Sequence, residues 1–196
     1  MIGEKTMHEI EPFQGWNKYY EASRDPKSPF YGSTYDPFTC SNTVYNYYIH
    51  PGWEDIGSPT LYAKLIYTSY QAHFAVLELI GEWNDTLHND IMYLSRNVIE
   101  PLLDHKIRYF ALIGENILNF HASDDAYYQE WSESIEDGWI ACINFRLHIK
   151  QEFERANLDY YLAMGGHLSE IHWRVMNPAQ LFTLINELIE RRLPAP

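Results

Sequence analysis

The chain has 196 residues, of which 46% are hydrophobic and 16% aromatic, so it can bury the core of one ordinary domain, and a disordered protein is excluded. Its 27 acidic and 14 basic residues give a formal net charge of −13. Such a surface repels phosphate backbones and anionic membranes, and no basic patch offsets it, so we predict neither a nucleic-acid partner nor a membrane partner.

We expect a reduced, cytoplasmic protein. No run of residues approaches the ~20 apolar residues that span a bilayer, and residues 1–5 do not have the pattern of a signal peptide. The two cysteines, Cys40 and Cys142, allow at most one disulfide. Cys142 lies in an apolar run, which is typical of a small buried thiol.

Residues 1–59 differ in composition from the rest of the chain. They contain six of the ten prolines and twelve aromatic residues, and the first leucine of the chain is Leu61. Because prolines interrupt helices and strand ladders, this segment is predicted to be an extended arm with short strands and no core of its own. Two roles stay open: the arm covers one face of a sheet irregularly, or its aromatic side chains contact a second subunit.

From residue 60 onwards the pattern alternates between strands and helices. The β-rich runs at 60–68 and 73–80 have the spacing of a hairpin. Since a helix between two strands of one sheet makes the strands parallel, the sequence predicts an α/β fold, or alternatively α+β, with a mixed, mostly parallel sheet in one domain at 60–196. The later strands are predicted at 108–113, 139–145 and 158–164, and the helices at 84–100 with a kink or restart at Pro101, 126–135, 146–156 and 178–193, the last being an amphipathic closing helix.

Polar residues follow the predicted strands, at the edge of a parallel sheet where ligands usually bind. The exits after 73–80 and 108–113 share the sequence Leu-Ile-Gly-Glu, which ends at Glu82 and at Glu115. If these strands are neighbours, the two glutamates lie about 5 Å apart. The candidate pocket at this edge comprises Glu82, Asn84, Asp85, Glu115, Asn116, His121 and Arg146.

Three interpretations of Glu82 and Glu115 stay open: an acid/base or metal-bound pair, two carboxylates that bond the main-chain amides of their turns, or no pair because the strands are not neighbours. An ionised pair would repel by roughly 3 kcal/mol at an effective dielectric constant near 20, which a shared proton, a cation or Arg146 would relieve. Nitrogen and oxygen ligands for a metal could come from His88, His121, His167, His172, Asp90, Asp124 and Asp125. No compact metal-binding spacing is present, so we predict no metal and no cofactor.

The acidic residues are concentrated between Val76 and Asp137, where thirteen acidic residues face three basic ones. Such a concentration is typical of a solvated helical face. The alternative is a docking surface for a basic protein partner.

The hairpin, the exit Leu79–Asp85, the strand Arg108–Ile113 and the order of elements after it carry a resemblance to a known family. Over about residues 61–166 the chain resembles the STAS superfamily of anti-sigma-factor antagonists and its SpoIIAA-like relatives. The resemblance implies a regulatory module, and some members are switched by serine phosphorylation at the start of the helix after the middle strand. Ser123 occupies that place, but the Asp-Ser-x-Gly pattern of the family is absent, and the neighbouring aspartates would repel a phosphate.

The function expected from these observations is a non-enzymatic regulatory or protein-interaction module that forms a homodimer. The alternative is a small-molecule-binding protein or a hydrolase-type enzyme that uses the candidate pocket.

Overall fold

The structure, a computed structural model, describes residues 8–36 and 42–191. Within these residues the chain forms a small sheet and a large one. The small sheet, with strand order β1-β3-β2, consists of β1 (His8–Ile10), β2 (Asn42–Val44) and β3 (Tyr47–Ile49). The large sheet, with strand order β4-β5-β6-β7-β8, consists of β4 (Glu54–Asp55), β5 (Leu61–Ser69), β6 (Phe74–Asn84), β7 (Tyr109–His121) and β8 (Trp139–Ile143).

Helices connect the strands of the large sheet and flank them. They are α1 (Asp90–Leu94), a π-helical turn (Ser95–Ile99), α2 (Glu100–Asp104), α3 (Ala126–Ser134), α4 (Leu147–Arg155) and α5 (Pro178–Glu190), with 3-10 turns at Ala22–Arg24, Leu158–Tyr160, Gly166–Ser169 and Trp173–Val175. Pro101 lies in the first turn of α2, so the predicted kink or restart is a change from π to α geometry. In the described ranges, no helix has the combined length and apolar character needed to cross a membrane.

The order and direction of the strands confirm the predicted α/β fold. β5 and β6 form the antiparallel hairpin, and β6, β7 and β8 are parallel neighbours joined through helices. β4 adds a short antiparallel edge next to β5. The sheet is therefore mixed, as the alternation of strand and helix patterns predicts.

One face of the large sheet, which we call the helical face, is covered by α1 to α4. Side chains alternate along a strand, so Leu77 and Leu79 of β6 point to this face and pack with Phe110 of β7 and Cys142 of β8. The thiol of Cys142 is buried, as predicted, and burial raises its pKa. The covering helices contribute an apolar layer formed by Ile91, Leu94, Val98, Leu102, Tyr128, Trp131, Ile149 and Phe153.

The opposite face, which we call the arm face, is covered by the two ends of the described chain. Val76 of β6 and Ile143 of β8 point to this face, and they pack in one cluster with Trp16 of the N-terminal segment and with Leu181 and Ile185 of α5. Within the described residues, the predicted arm thus packs on the sheet of its own chain through Trp16. Its tryptophans belong to the core.

The closing helix α5 forms where the sequence predicts it. Asn177 and Gln180 make a capping box, in which each side chain bonds the main-chain N–H of the other, and Pro178 begins the first turn. The end of the predicted helix, 192–193, and Cys40 lie outside the described residues.

Two strands run further than the sequence predicts. β6 ends at Asn84 and β7 at His121, four and eight residues beyond the expected ends. Gly81 and Gly114 have the appearance of turn signals, yet both lie inside strands. Gly81 is at a bulge with φ +114°, and a Cβ atom there would lie 2.0 Å from the carbonyl oxygen of Thr60.

Two further predictions are wrong. The helix expected at 84–100 begins only at Asp90, because β6 and the loop after it occupy the preceding residues. Most of the strand expected at 158–164 is missing, because the chain turns sharply after α4: Asn157 has φ +57° and the 3-10 turn Leu158–Tyr160 follows. Only Ala163 reaches β8, through a parallel bridge to Ala141.

Candidate functional site

The pair of Glu82 and Glu115 is not formed, although β6 and β7 are parallel neighbours. The strand register places Glu82 opposite Asn119, and it places Asn116, the residue after Glu115, opposite Ile80. Irregularities in the β6–β7 pairing shift the register between these points. The pair was expected because the shared Leu-Ile-Gly-Glu sequence resembles two equivalent strand ends, whereas both strands continue through it.

Three of the predicted pocket residues do come together, around the carboxylate of Glu82. Asn84 donates its side-chain amide to Oε1 of Glu82 at 2.7 Å, and Nε2 of His121 lies 3.4 Å from the same oxygen. The hydroxyl of Tyr45, between β2 and β3, donates to Oε2, and this bond raises the pKa of Tyr45. The amide of Asn119 lies 3.0 Å from Nε2 of His121. We call these five residues the Glu82 cluster.

Asp85 lies apart from the Glu82 cluster, buried against the core of the helical face. Its Oδ1 accepts hydrogen bonds from Nε1 of Trp83 at 3.0 Å and from the main-chain N–H of Ile91 at 2.8 Å. Its Oδ2 accepts the hydroxyl of Tyr128 at 2.6 Å. Burial raises the pKa of Asp85 to about 6 against these donors, with a further contribution from the charge of Asp90. Asp85 therefore ties the loop after β6 to α1 and α3.

Asp90, considered above as a metal ligand, is fully buried at the start of α1. It accepts the hydroxyl of Ser58 at 2.6 Å, the hydroxyl of Thr60 at 3.2 Å and the main-chain N–H of Asn84 at 2.6 Å. Burial raises its pKa as well. Its oxygens are used to hold α1 against the end of β6 and the loop before β5.

A carboxylate pair does exist on the arm face, between Glu78 of β6 and Glu115 of β7. Arg174 lies between them and donates to Oε1 of Glu78 at 3.3 Å and to Oε2 of Glu115 at 2.5 Å. Glu78 is 1% exposed, and its Oε2 accepts the main-chain N–H of Phe13 at 2.8 Å. We call Glu78, Arg174 and Glu115 the carboxylate bridge. It joins the N-terminal segment, two strands and the segment before α5.

The two carboxylates of the bridge titrate differently. Burial raises the pKa of Glu78 to about 7, although the N–H of Phe13 and the guanidinium of Arg174 oppose the rise. Burial acts in the same direction on Glu115, but the donors Asn144, at 2.7 Å, Arg174 and Trp173, at 2.9 Å, outweigh it and hold the pKa of Glu115 below its usual value. Near neutral pH, Glu115 is therefore ionised while Glu78 is divided between its two forms.

Glu78 and Arg174 are missing from the predicted site. A signal for Glu78 exists, since it is the one acidic or basic residue at 74–80, and a charge in a buried strand requires a partner. Arg174 lies 96 residues further along the chain, in a segment with no predicted element. No local pattern could identify it.

The remaining predicted residues lie separately. Arg146 is exposed and donates Nε to the main-chain carbonyl of Glu115 at 3.1 Å, so it is Arg174 that approaches the carboxylate. Asn116 is half-buried in β7. Ser123 is exposed in the turn between β7 and α3, and its phosphorylation stays a prediction.

The histidines that were considered as metal ligands do not converge. Among residues 8–36 and 42–191, no group of three or more His, Cys, Asp or Glu side chains is arranged to hold a metal ion. A cavity of about 490 Å³ lies along the outer edge of β8, and one of about 370 Å³ lies between α5 and the segment that contains His167 and His172. The predicted pocket residues line neither of them.

In this arrangement four carboxylates of the sheet and of the elements next to it hold segments of the chain in position. The carboxylates of Glu78, Asp85, Asp90 and Glu115 accept hydrogen bonds from protein donors, and each connects segments that are distant in sequence. In the Glu82 cluster, the His121 side chain differs from these carboxylates, because it is 46% exposed to solvent.

Comparison with models of protein families and with curated protein sequences finds no match. The resemblance to the STAS superfamily stays a prediction, which depends on the exit Leu79–Asp85, the strand Arg108–Ile113 and the order of the elements.

Proposed function

We propose that this protein is a non-enzymatic interaction module of the STAS-like kind, which acts in the cytoplasm and binds a basic protein partner. The observation that carries the proposal is the acidic surface of the helical layer. Nine exposed acidic side chains on α2, α3, α4 and the adjoining turns outnumber the exposed Lys106 and Arg155 there: Glu100, Asp104, Asp124, Glu130, Glu133, Glu136, Asp137, Glu154 and Asp159.

Charge and internal bonding both support this function. Like charges collected on one side of a protein attract an oppositely charged partner and accelerate its association. The buried carboxylates are engaged within the protein, which fits a function exerted through the outer surface. The order of hairpin, helix, strand, helix and strand at 61–143 is the one on which the STAS resemblance depends.

The proposal predicts a salt-sensitive complex. Proteins that co-purify with the whole chain from its native extract would be identified, purified and tested again by surface plasmon resonance. Reversal of two charges on α3, Glu130→Lys with Glu133→Lys, is expected to slow association about tenfold. The matched control reverses Glu187 and Glu190 of α5, which belongs to the arm face. Equal association rates for both variants, or a partner that carries no basic surface, would refute the proposal.

We further propose that the module is a homodimer, joined through the N-terminal segment. Its support is the exposure of large aromatic side chains there: Tyr19, Tyr31, Tyr35, Tyr45 and Tyr48 are 40% to 61% exposed. Sedimentation velocity would compare the whole chain with a Tyr19→Ser, Tyr31→Ser variant. A dimer that dissociates in the variant supports the proposal, and a wild-type monomer at micromolar concentration contradicts it.

A second candidate function is a small-molecule binder or hydrolase-type enzyme that uses the Glu82 cluster. The contact between Glu82 and the exposed ring of His121 favours it, because a carboxylate can orient a histidine for proton transfer. Screening of small-molecule fragments by ¹H–¹⁵N NMR would test it. Shifts centred on His121 that disappear in His121→Phe support this candidate, and fragments that bind only elsewhere exclude it.

A further inference from the structure

The cavity at the outer edge of β8, which we call the edge groove, combines an apolar floor with acidic walls. Its floor includes Trp139 and Ile140 of β8, together with Leu162 from the segment after α4, all of them buried. The groove has a volume of about 490 Å³, within the range of ~300–1,000 Å³ that is usual for binding clefts.

Three exposed acidic residues stand at the edge groove: Glu136 after α3, Glu154 of α4 and Asp159 of the following 3-10 turn. Glu136 has one weak ionic contact, with Arg108 at 3.8 Å. No lysine, arginine or histidine is among the described residues that line the groove. Its electrostatic character is therefore negative.

Tyr160 adds an aromatic surface at the groove, since it is 82% exposed. Lysine and arginine side chains lay their aliphatic stems on apolar surfaces while their charged ends reach carboxylates, and they also bind the faces of aromatic rings. An apolar floor, acidic walls and an exposed tyrosine are together complementary to a basic side chain with apolar neighbours.

The edge groove lies beside the edge strand of the large sheet. β8 is the last strand of the large sheet, and its outer side is joined at Ala141 by the single bridge from Ala163. The main-chain groups of Ile140 and Cys142 that face outwards there are bonded to Ala163. The groove begins next to this bridge, so an occupant would bind mainly through its side chains.

We propose that the edge groove is the docking site for a basic peptide segment of the partner protein, in which lysine or arginine alternates with apolar residues. This inference rests on the proposed function and names the part of the acidic surface that retains the partner. Contacts in the groove would lower the dissociation rate, while the outlying charges of α3 mainly affect association.

The test selects peptides from a random heptapeptide library against the whole chain at about 150 mM salt, where remote charges are screened. The expected peptides are rich in lysine or arginine next to apolar residues. Glu154→Lys with Asp159→Lys, and separately Tyr160→Ser, are expected to weaken the selected peptide about tenfold through faster dissociation. The matched control, Glu100→Lys with Asp104→Lys on α2, is expected to leave its affinity within about twofold.

Three results would overturn the inference: no enrichment of basic peptides, equal binding by the groove variants and the control, or tighter peptide binding after removal of residues 192–196. The last result would mean that the tail of this chain occupies the groove. The proposed function is tested independently of the groove. It fails only if no basic protein partner associates in a way that depends on Glu130 and Glu133.

Discussion

The helical face and the arm face of the large sheet bury similar apolar side chains, but different parts of the chain close them. The helical face is closed mainly by helices that directly follow the strands they cover, from α1 to α4, and Ala22 and Phe30 of the N-terminal segment pack in the same cluster. The arm face is closed by segments from opposite ends of the chain, which meet through Trp16 and Trp173 at a ring distance of 5.6 Å.

The polar contacts of the two faces differ accordingly. On the helical face Asp85 supports a loop beside a dense apolar layer, and its partner Tyr128 lies on α3, 43 residues further along the chain. On the arm face the carboxylate bridge and the bond from Nε1 of Trp16 to the carbonyl of Met176 join segments up to 160 residues apart. From this difference we expect apolar packing to dominate the stability of the helical face, and we expect specific polar contacts to set the position of the segments that cover the arm face.

The largest effect is expected from the helical face. Trp83 is fully buried and contacts the rings of Phe120, Tyr128 and Phe153. Trp83→Ala is expected to lower the free energy of unfolding by about 3–5 kcal/mol, because it removes apolar contacts and leaves a cavity. Urea denaturation would measure the change, with the exposed Tyr160→Ala as control. A loss below that of the arm-face variants would reverse the comparison.

The next effect concerns the arm face. Arg174→Met is expected to lower the free energy of unfolding by about 2 kcal/mol, since two carboxylates would lose their shared cation. The value is kept below that of a fully buried pair because the Arg174 side chain is 45% exposed. Arg191→Met, which removes an exposed pair with Glu187, is the control in the same urea assay. Identical losses in the two variants would show that the bridge does not hold the cover.

A pH series sharpens the same comparison. The pKa of Glu78 is about 7 in the folded protein and 4.5 for an ordinary glutamate, so between these values the folded state holds a proton that the unfolded chain has released. Protonation therefore stabilises the wild type, and its stability falls as the pH rises from about 4.5 to 7. Glu78→Gln lacks this dependence. The free energy of unfolding of the wild type relative to Glu78→Gln is expected to fall by about 2 kcal/mol across this range.

Urea midpoints at each pH would give that difference. Asp85, whose pKa is about 6, is present in both proteins. Its contribution to the pH dependence of unfolding is therefore the same in each and cancels in the difference. A difference that is flat, or that grows as the pH rises, would mean that Glu78 is ionised throughout and that the bridge is a simple ion pair.

The smallest effect is expected at Tyr128. Tyr128→Phe keeps the buried ring and removes the hydroxyl that donates to Asp85 at 2.6 Å. The free energy of unfolding is expected to fall by about 1 kcal/mol, because Asp85 keeps its two other donors. Urea denaturation would measure it beside Tyr127→Phe, whose hydroxyl contacts Arg96 at the surface. A loss as large as that of Trp83→Ala would show that polar contacts govern this face too.

The sequence predicts the helical face better than the arm face, for physical reasons. The hairpin and the parallel order of β6, β7 and β8, with the helices that connect these strands, follow from periodicity and from residues that are close in sequence. The strand ends were misplaced because Gly81 adopts a conformation that suits a bulge as well as a turn. Periodicity cannot distinguish these two uses.

The sequence predicts only part of the candidate site, because some of its contacts follow from strand register and others depend on tertiary packing. Glu82, Asn84 and His121 come together because the parallel register aligns the ends of neighbouring strands, and this follows from the fold class. Arg174 reaches Glu78 and Glu115 only through the path of the chain before α5. A contact of that kind depends on tertiary packing alone.

The position of Trp16 on Trp173 and Met176 also has a consequence during synthesis. The N-terminal segment leaves the ribosome long before those two residues are translated, so its aromatic side chains lack their binding surface during that time. Until then its tryptophan and tyrosines are open to chaperones. Ribosomes stalled at successive codons would show the segment becoming resistant to protease only after residue 176 has emerged.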